Sequence, residues 1–169
     1  MGRFGTAWFW IHENDRQLKL IFGLVTVLSI LLGYCSNQHE ANIKRTLDFQ
    51  AKYSEGELLK AHLELDALLL DRADKTAIDE APDPPRKIME LVQAKGYERD
   101  VLILADFFSQ VATCVRGGLC DLPTACAVFS DSVIRHRNNY FRLFELWQNL
   151  WGQNFIEAPY EYFRKRCAA

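Results

Sequence analysis

A run of sixteen uncharged residues at positions 20–35 constrains this chain more than any other feature. It reads LIFGLVTVLSILLGYC, and the polar residues 36–38 that follow it are also neutral. At about 1.5 Å per residue, such a helical segment extends over roughly 24 to 28 Å, close to the roughly 30 Å thickness of a hydrocarbon core. The run therefore predicts one transmembrane helix at 20–38, and Lys19 and Tyr34 suit its membrane–water boundaries.

Residues 1–19 are too aromatic for a solvated tail. Tryptophan is common at membrane–water boundaries, because its ring is apolar while its N–H needs a polar partner. Glu13 and Asp15 argue against a cleaved signal peptide, which has a short basic head. We interpret 1–19 as an interfacial lead into the helix, with specific partner binding as the alternative. The residues expected to contact the membrane or a partner are Trp8, Phe9, Trp10, Lys19 and Tyr34.

The remainder, 39–169, is long enough for one domain with its own core. Hydrophobic residues make up 49% of the chain and charged residues 25%, as in a folded protein. The net charge of −2 gives no electrostatic reason to expect nucleic acid. Basic residues balance on the two sides of the predicted span, so the positive-inside rule does not orient it. The five cysteines are an odd number; taken as free thiols, they favour a cytoplasmic domain at the inner membrane.

The pattern after residue 39 predicts helices and no strands. The transmembrane helix is expected to continue towards Tyr53, and Ser54 with Glu57 resembles a capping box. The polar stretch 74–83 is interpreted as a loop. The predicted fold class is all-α: a single N-terminal transmembrane helix followed by a compact bundle of four to five helices. The bundle helices are expected at about 55–72, from Pro84 to Gly96, at about 98–116, at about 122–151 and at 160–166.

Three cysteines around the turn between the two longest bundle helices are the only metal candidates. Cys114, Cys120 and Cys126 could hold zinc together with His136, but structural zinc sites usually have gaps of about two to four residues. The favoured interpretation is that they are small buried apolar residues. In an oxidising compartment, Cys114 with Cys120, or Cys120 with Cys126, could form a disulfide instead.

Asp106 interrupts the most apolar helix, so we expect a buried carboxylate bonded to Arg116, Arg135 or Tyr140. The basic residues 135–137 are interpreted as a solvated face, with a phosphate-headgroup contact as the alternative. No metal-binding helix pair, phosphate-binding loop or nucleophile motif occurs in the sequence. We therefore predict no catalytic residue, no cofactor and no enzymatic activity.

Several segments resemble one bacterial family, the domain of unknown function numbered forty-seven-sixty. They are IKRTLDF at 43–49, GEL at 56–58, DFF at 106–108, the turn VRGGLCD at 115–121 and YEYF at 160–163. The resemblance extends from about Leu20 to the C-terminus and implies small membrane-anchored helical proteins without an established activity. This chain has Ser109 where the family often has Glu, and Cys114 where it often has Gly, so no site residue is carried over.

These features predict a single-pass, membrane-anchored helical interaction protein that acts as a non-catalytic accessory subunit or docking module. Its expected partners are the lipid bilayer and another membrane protein. The alternative is a membrane-tethered sensor or effector whose cysteine turn responds to a metal or to oxidation.

Overall fold

The computed structural model describes residues 15–151 and 157–167, and their side chains from residue 22 onward except at 151, 157 and 159. The described residues are helical and contain no strand, which confirms the all-α prediction. The helices are α1 Asp15–Tyr53, α2 Gly56–Leu70, α3 Arg72–Asp79, α4 Pro84–Lys95, α5 Glu98–Arg116, α6 Leu122–Trp151 and α7 Glu157–Cys167.

The chain divides into two units, one ending at Glu40 and the other beginning at Ala41, and α1 contributes residues to both. The helical domain was predicted to start at residue 39, two residues before the second unit begins. Among the residues that the structure describes, no helix combines the length and the apolarity needed to cross a membrane. The side chains of Leu20 and Ile21, at the start of the predicted span, lie outside the described residues.

The core of the second unit is built around α5. This helix packs against α2, α6 and α7, and α6 also packs against α4 and α7. Leu104, Phe108 and Val111 recur at helical spacing on α5 and are almost fully buried. At the end of α1, Tyr53 stacks on Phe107 with ring centroids 5.4 Å apart. The helix predicted to be the most apolar therefore lies at the centre of the core, and it positions the site described below.

Several predicted helix ends are confirmed. The Asp83 carboxylate accepts a hydrogen bond from the Arg86 N–H at 3.3 Å and caps α4, with Pro84 in the first turn. Gly96 ends that helix at φ +75°, where a glycine is favoured. Asp121 accepts from the Thr124 N–H at 2.9 Å at the start of α6.

Other predictions for the bundle are wrong. Residues 72–79 form α3 instead of a loop, because Asp71 accepts from the N–H groups of the first turn. The described residues of the second unit therefore form six helices, α2 to α7, besides the end of α1, instead of four to five. The Ser54 hydroxyl donates back to the Gln50 carbonyl at 3.0 Å, and no side chain caps α2, so the capping box does not form. Asp106 is exposed and accepts from the Gln110 amide at 2.8 Å, so it is not a buried carboxylate.

Candidate functional site

The first unit carries a long exposed apolar surface on α1. From residue 22 to residue 40 every described side chain is exposed. The large apolar side chains there are between 51% exposed at Leu28 and 70% exposed at Leu32. Thr26 and Ser29 donate their hydroxyl protons to carbonyls one turn earlier, both at 2.8 Å. This segment therefore satisfies its own hydroxyl groups and leaves its apolar side chains without cover among the described residues.

Of the five residues predicted to contact the membrane or a partner, the structure describes the side chain of one, Tyr34. Tyr34 is 68% exposed on α1. Lys19 lies in the α1 backbone, but its side chain is outside the described residues. The aromatic lead, Trp8, Phe9 and Trp10, also lies outside them, so these four contacts stay predictions.

The cysteines form disulfides in the second unit. Cys114 and Cys120 are bonded across the turn between α5 and α6, and Cys126 is bonded to Cys167 on α7. Cys35 on α1 is free and exposed. Four of the five cysteines are therefore not free thiols, although free thiols were the reason for expecting a cytoplasmic domain. Of the two alternative pairings considered for the turn, Cys114 with Cys120 is the one that forms.

The four metal candidates do not form one site. Cys114 and Cys120 belong to one disulfide and Cys126 to the other, so none of the three is a thiolate. The imidazole of His136 is buried and forms a hydrogen bond with the Tyr160 hydroxyl. Within the described ranges no group of three potential ligands lies close enough to hold a metal ion. The zinc alternative is therefore wrong for this arrangement of cysteines.

The disulfide-closed turn binds the part of α1 that belongs to the second unit. The Asn42 amide donates to the Gly118 carbonyl at 3.0 Å, and Thr46 accepts from the Asp121 N–H at 2.9 Å. Gly118 has φ +69°, a conformation that favours glycine. The turn VRGGLCD at 115–121, one of the segments that resemble the bacterial family, thus has a structural role, because it holds α1 against the start of α6.

A small cavity with several polar side chains in its lining lies in the second unit between α1, α2, α5 and α6. Its volume is about 30 Å³, enough for one or two water-sized groups. Around it, the Tyr53 hydroxyl lies 3.2 Å from Nδ1 of His62, and Nε2 of His62 lies 3.3 Å from the Asp66 carboxylate. The lining residues are Tyr53, His62, Leu65, Asp66, Leu69, Leu104, Phe108, Ser132, Arg135, His136, Asn139 and Tyr140.

The inner wall of this cavity is polar but uncharged. Burial, with a smaller contribution from the nearby His62, lowers the pKa of His136 to about 3, so the imidazole is neutral at physiological pH. Burial raises the pKa of Tyr140, with a smaller contribution from Asp66, so the phenol stays protonated. Nδ1 of His136 lies 2.9 Å from the Tyr160 hydroxyl. Its Nε2 atom and the Tyr140 hydroxyl have no partner among the described residues.

This cavity was not predicted from the sequence. His136 was interpreted as part of a basic face or a metal site and Tyr140 as a partner of Asp106, and no role was predicted for His62. Two signals were present: His62 and Asp66 are four residues apart on α2, and His136 and Tyr140 are four apart on α6. That spacing places each pair on one helix face. Only the packing of α2 against α5 and of α5 against α6 brings the two pairs to the same place.

The chain matches no protein-family model, no curated protein and no solved structure. The resemblance to the bacterial family numbered forty-seven-sixty therefore stays a prediction.

Proposed function

We propose that this protein is a membrane-anchored, non-catalytic accessory subunit whose residues 20–38 lie in a bilayer and pack on another membrane protein. The observation that carries the proposal is the exposure of every described side chain at 22–40. An apolar surface of that extent on all sides of a helix is costly in water and suits lipid or a protein partner. The proposal also draws on Leu20 and Ile21, which extend the uncharged run.

The disulfides support a location for the helical domain. Structural disulfides form and persist in oxidising compartments. We therefore place the domain on the non-cytoplasmic side of the bacterial inner membrane, instead of the cytoplasmic side expected from free cysteines. Basic residues flank the uncharged run on both sides and do not oppose this orientation.

Membrane retention of the full chain tests the anchor. Replacing Leu24 and Leu28 by arginine introduces two charges into the exposed apolar segment, each costing about 2.5 to 3.5 kcal/mol at the centre of a membrane helix. We expect the double variant to be released from membranes by alkaline carbonate, while the wild type stays in the pellet. The matched control replaces Leu63 and Leu70, two exposed leucines of α2, by arginine. This variant should stay in the membrane pellet like the wild type. Equal release of both double variants would contradict the anchor.

The partner is tested through Cys35. This free, exposed thiol lies at the end of the uncharged run. A short crosslinker with one thiol-reactive end and one photoreactive end, applied to native membranes, should join Cys35 to one discrete membrane protein, and the same protein should co-purify in mild detergent. A chain that stays an uncrosslinked monomer under both conditions would count against the docking role.

A redox-responsive module is the second candidate function, because a disulfide closes the turn that binds Asn42 and Thr46. Reduction would free the turn and loosen its hold on α1. If this function holds, mild reductant should weaken partner crosslinking through Cys35. It should not do so in the variant with Cys114 and Cys120 both replaced by serine.

A further inference from the structure

Two residues that line the cavity each have a buried polar atom without a hydrogen-bond partner among the described residues. His136 is 6% exposed and Tyr140 is 3% exposed. Their ring centroids lie 4.9 Å apart, and both side chains line the cavity. Nε2 of His136 and the Tyr140 hydroxyl have no partner among the described residues. Such atoms are uncommon in folded proteins, because each loses its hydration without a replacement bond.

The cavity that these two residues line has room for one small group. Its volume of about 30 Å³ is too small to enclose a drug-sized molecule. Leu65, Leu69 and Leu104 contribute apolar side chains to the lining. The same cavity therefore offers hydrogen bonds to a polar group and apolar contact to the carbon atoms attached to it.

The charges around the cavity disfavour an ionic ligand. The neutral imidazole of His136 and the protonated phenol of Tyr140 offer no counter-charge at the buried end. Asp66 and Arg135, which are less buried, contribute one charge of each sign. An anion or a cation placed against the buried atoms would lose hydration without an ion pair in return.

We propose that this cavity binds a small uncharged ligand through a hydroxyl or carboxamide group placed between Nε2 of His136 and the Tyr140 hydroxyl. A tyrosine hydroxyl both donates and accepts, and Nε2 of a neutral histidine does one or the other according to its tautomer. Hydroxyl and carboxamide groups also offer both functions, so they satisfy the two buried atoms in either tautomer.

A titration followed by nuclear magnetic resonance tests the site in the full chain in detergent micelles. The readout is the ring signals of His136, and the probes are acetamide and acetate, which have nearly the same shape but differ in charge. We expect acetamide to shift these signals saturably with a dissociation constant in roughly the millimolar range, given the few atoms it carries. Acetate should give no saturable shift.

Tyr140→Phe separates a specific site from general contact. It removes only the unpartnered oxygen, and we expect acetamide to bind about tenfold more weakly, as for the loss of one hydrogen bond. Tyr162→Phe is the matched control on α7, away from the cavity lining, and should leave binding unchanged. Equal affinity for acetate, no effect of Tyr140→Phe, or no saturable shift would overturn the proposal. The last result would mean that the cavity holds only water. If Tyr140→Phe unfolds, the acetamide and acetate titrations of the wild type decide alone.

Discussion

Thr46 is fully buried although its side chain is polar, and its hydroxyl makes two hydrogen bonds. The hydroxyl donates to the Asn42 carbonyl at 2.9 Å and accepts from the Asp121 N–H at 2.9 Å. One side chain therefore joins α1 to the turn before α6. Because both bonds are sheltered from water, their loss is not compensated by solvent.

Thr46→Val tests this connection. Valine has nearly the same shape but no hydroxyl, so the Asp121 N–H loses this acceptor, and we expect a loss of about 1 to 3 kcal/mol in the free energy of unfolding. Thr46→Ser keeps the hydroxyl and should cost less than the valine variant. Thermal unfolding of the full chain, followed by circular dichroism, provides the measurement. A serine variant that is less stable than the valine variant would show that the methyl group matters more than the bonds.

His136 makes the stability of the domain depend on pH. Its pKa in the folded state is about 3, against the ordinary histidine value of 6.5. A histidine with a depressed folded pKa stabilises the fold above its unfolded pKa, and this contribution is lost as the pH falls towards the folded pKa. Between about pH 7.5 and about pH 5, the expected loss from this residue is about 2 kcal/mol.

His136→Gln should remove that dependence. Denaturant unfolding at the two pH values should show a difference about 2 kcal/mol smaller in the variant than in the wild type. The comparison uses the pH difference within each protein, so a uniform destabilisation by glutamine does not affect it. An unchanged pH difference would mean that His136 is not the buried neutral group that the structure indicates.

Among the helices, α5 and α3 show what the sequence can predict and what it cannot. The predicted bounds of α5 match the structure because its apolar residues recur at helical spacing and Gly117 and Gly118 follow it. Helix α3 has only Ile78 as a buried residue and a mostly polar sequence. Its apolar pattern is therefore too weak to predict a helix, and the capping by Asp71 is the signal that was overlooked.

Asp71→Ala tests the role of this cap. Loss of an N-cap acceptor costs about 0.5 to 2 kcal/mol, and here it should act first on the short helix that Asp71 begins. We expect faster amide hydrogen exchange at 72–79 with little change in α5. Asp79→Ala is the matched control, since Asp79 is exposed at the opposite end of α3. Similar exchange in the two variants would contradict a specific capping role.

The two disulfides should differ in their contribution to stability. Cys126 and Cys167 are 41 residues apart, and Cys114 and Cys120 are 6 apart. In the loop-entropy model a crosslink over the longer segment contributes about 4 kcal/mol and one over the shorter segment about 2 kcal/mol. Each disulfide is removed by replacing both of its cysteines with serine, and denaturant unfolding measures the loss in the free energy of unfolding. We expect the larger loss for the variant that lacks Cys126 and Cys167, together with faster hydrogen exchange in α7. The reverse order would show that strain or residual unfolded structure dominates.

At the scale of the whole molecule, the sequence predicted local features better than long-range ones. The fold class and the long helices follow from the spacing of apolar residues within each segment. The pairing of Cys126 with Cys167, and the meeting of His62 with His136 at one cavity, depend on how distant helices pack. Asp106 shows the same limit, because only packing determines which side of a largely apolar helix is exposed.

If the chain is membrane-anchored as proposed, the oxidation state of its cysteines indicates on which side of the membrane the helical domain lies. If the domain folds in an oxidising compartment, alkylation of the denatured, unreduced protein from cells should modify one of the five cysteines, Cys35. After reduction all five should react. A C-terminal reporter that is active only outside the cytoplasm should then be active, and in a single-pass chain residues 1–19 would lie in the cytoplasm. Modification of all five cysteines without reduction, together with an inactive reporter, would return the domain to the cytoplasmic side. The proposal of a membrane anchor would be unaffected by that result, because it rests on the exposed apolar segment and not on the disulfides.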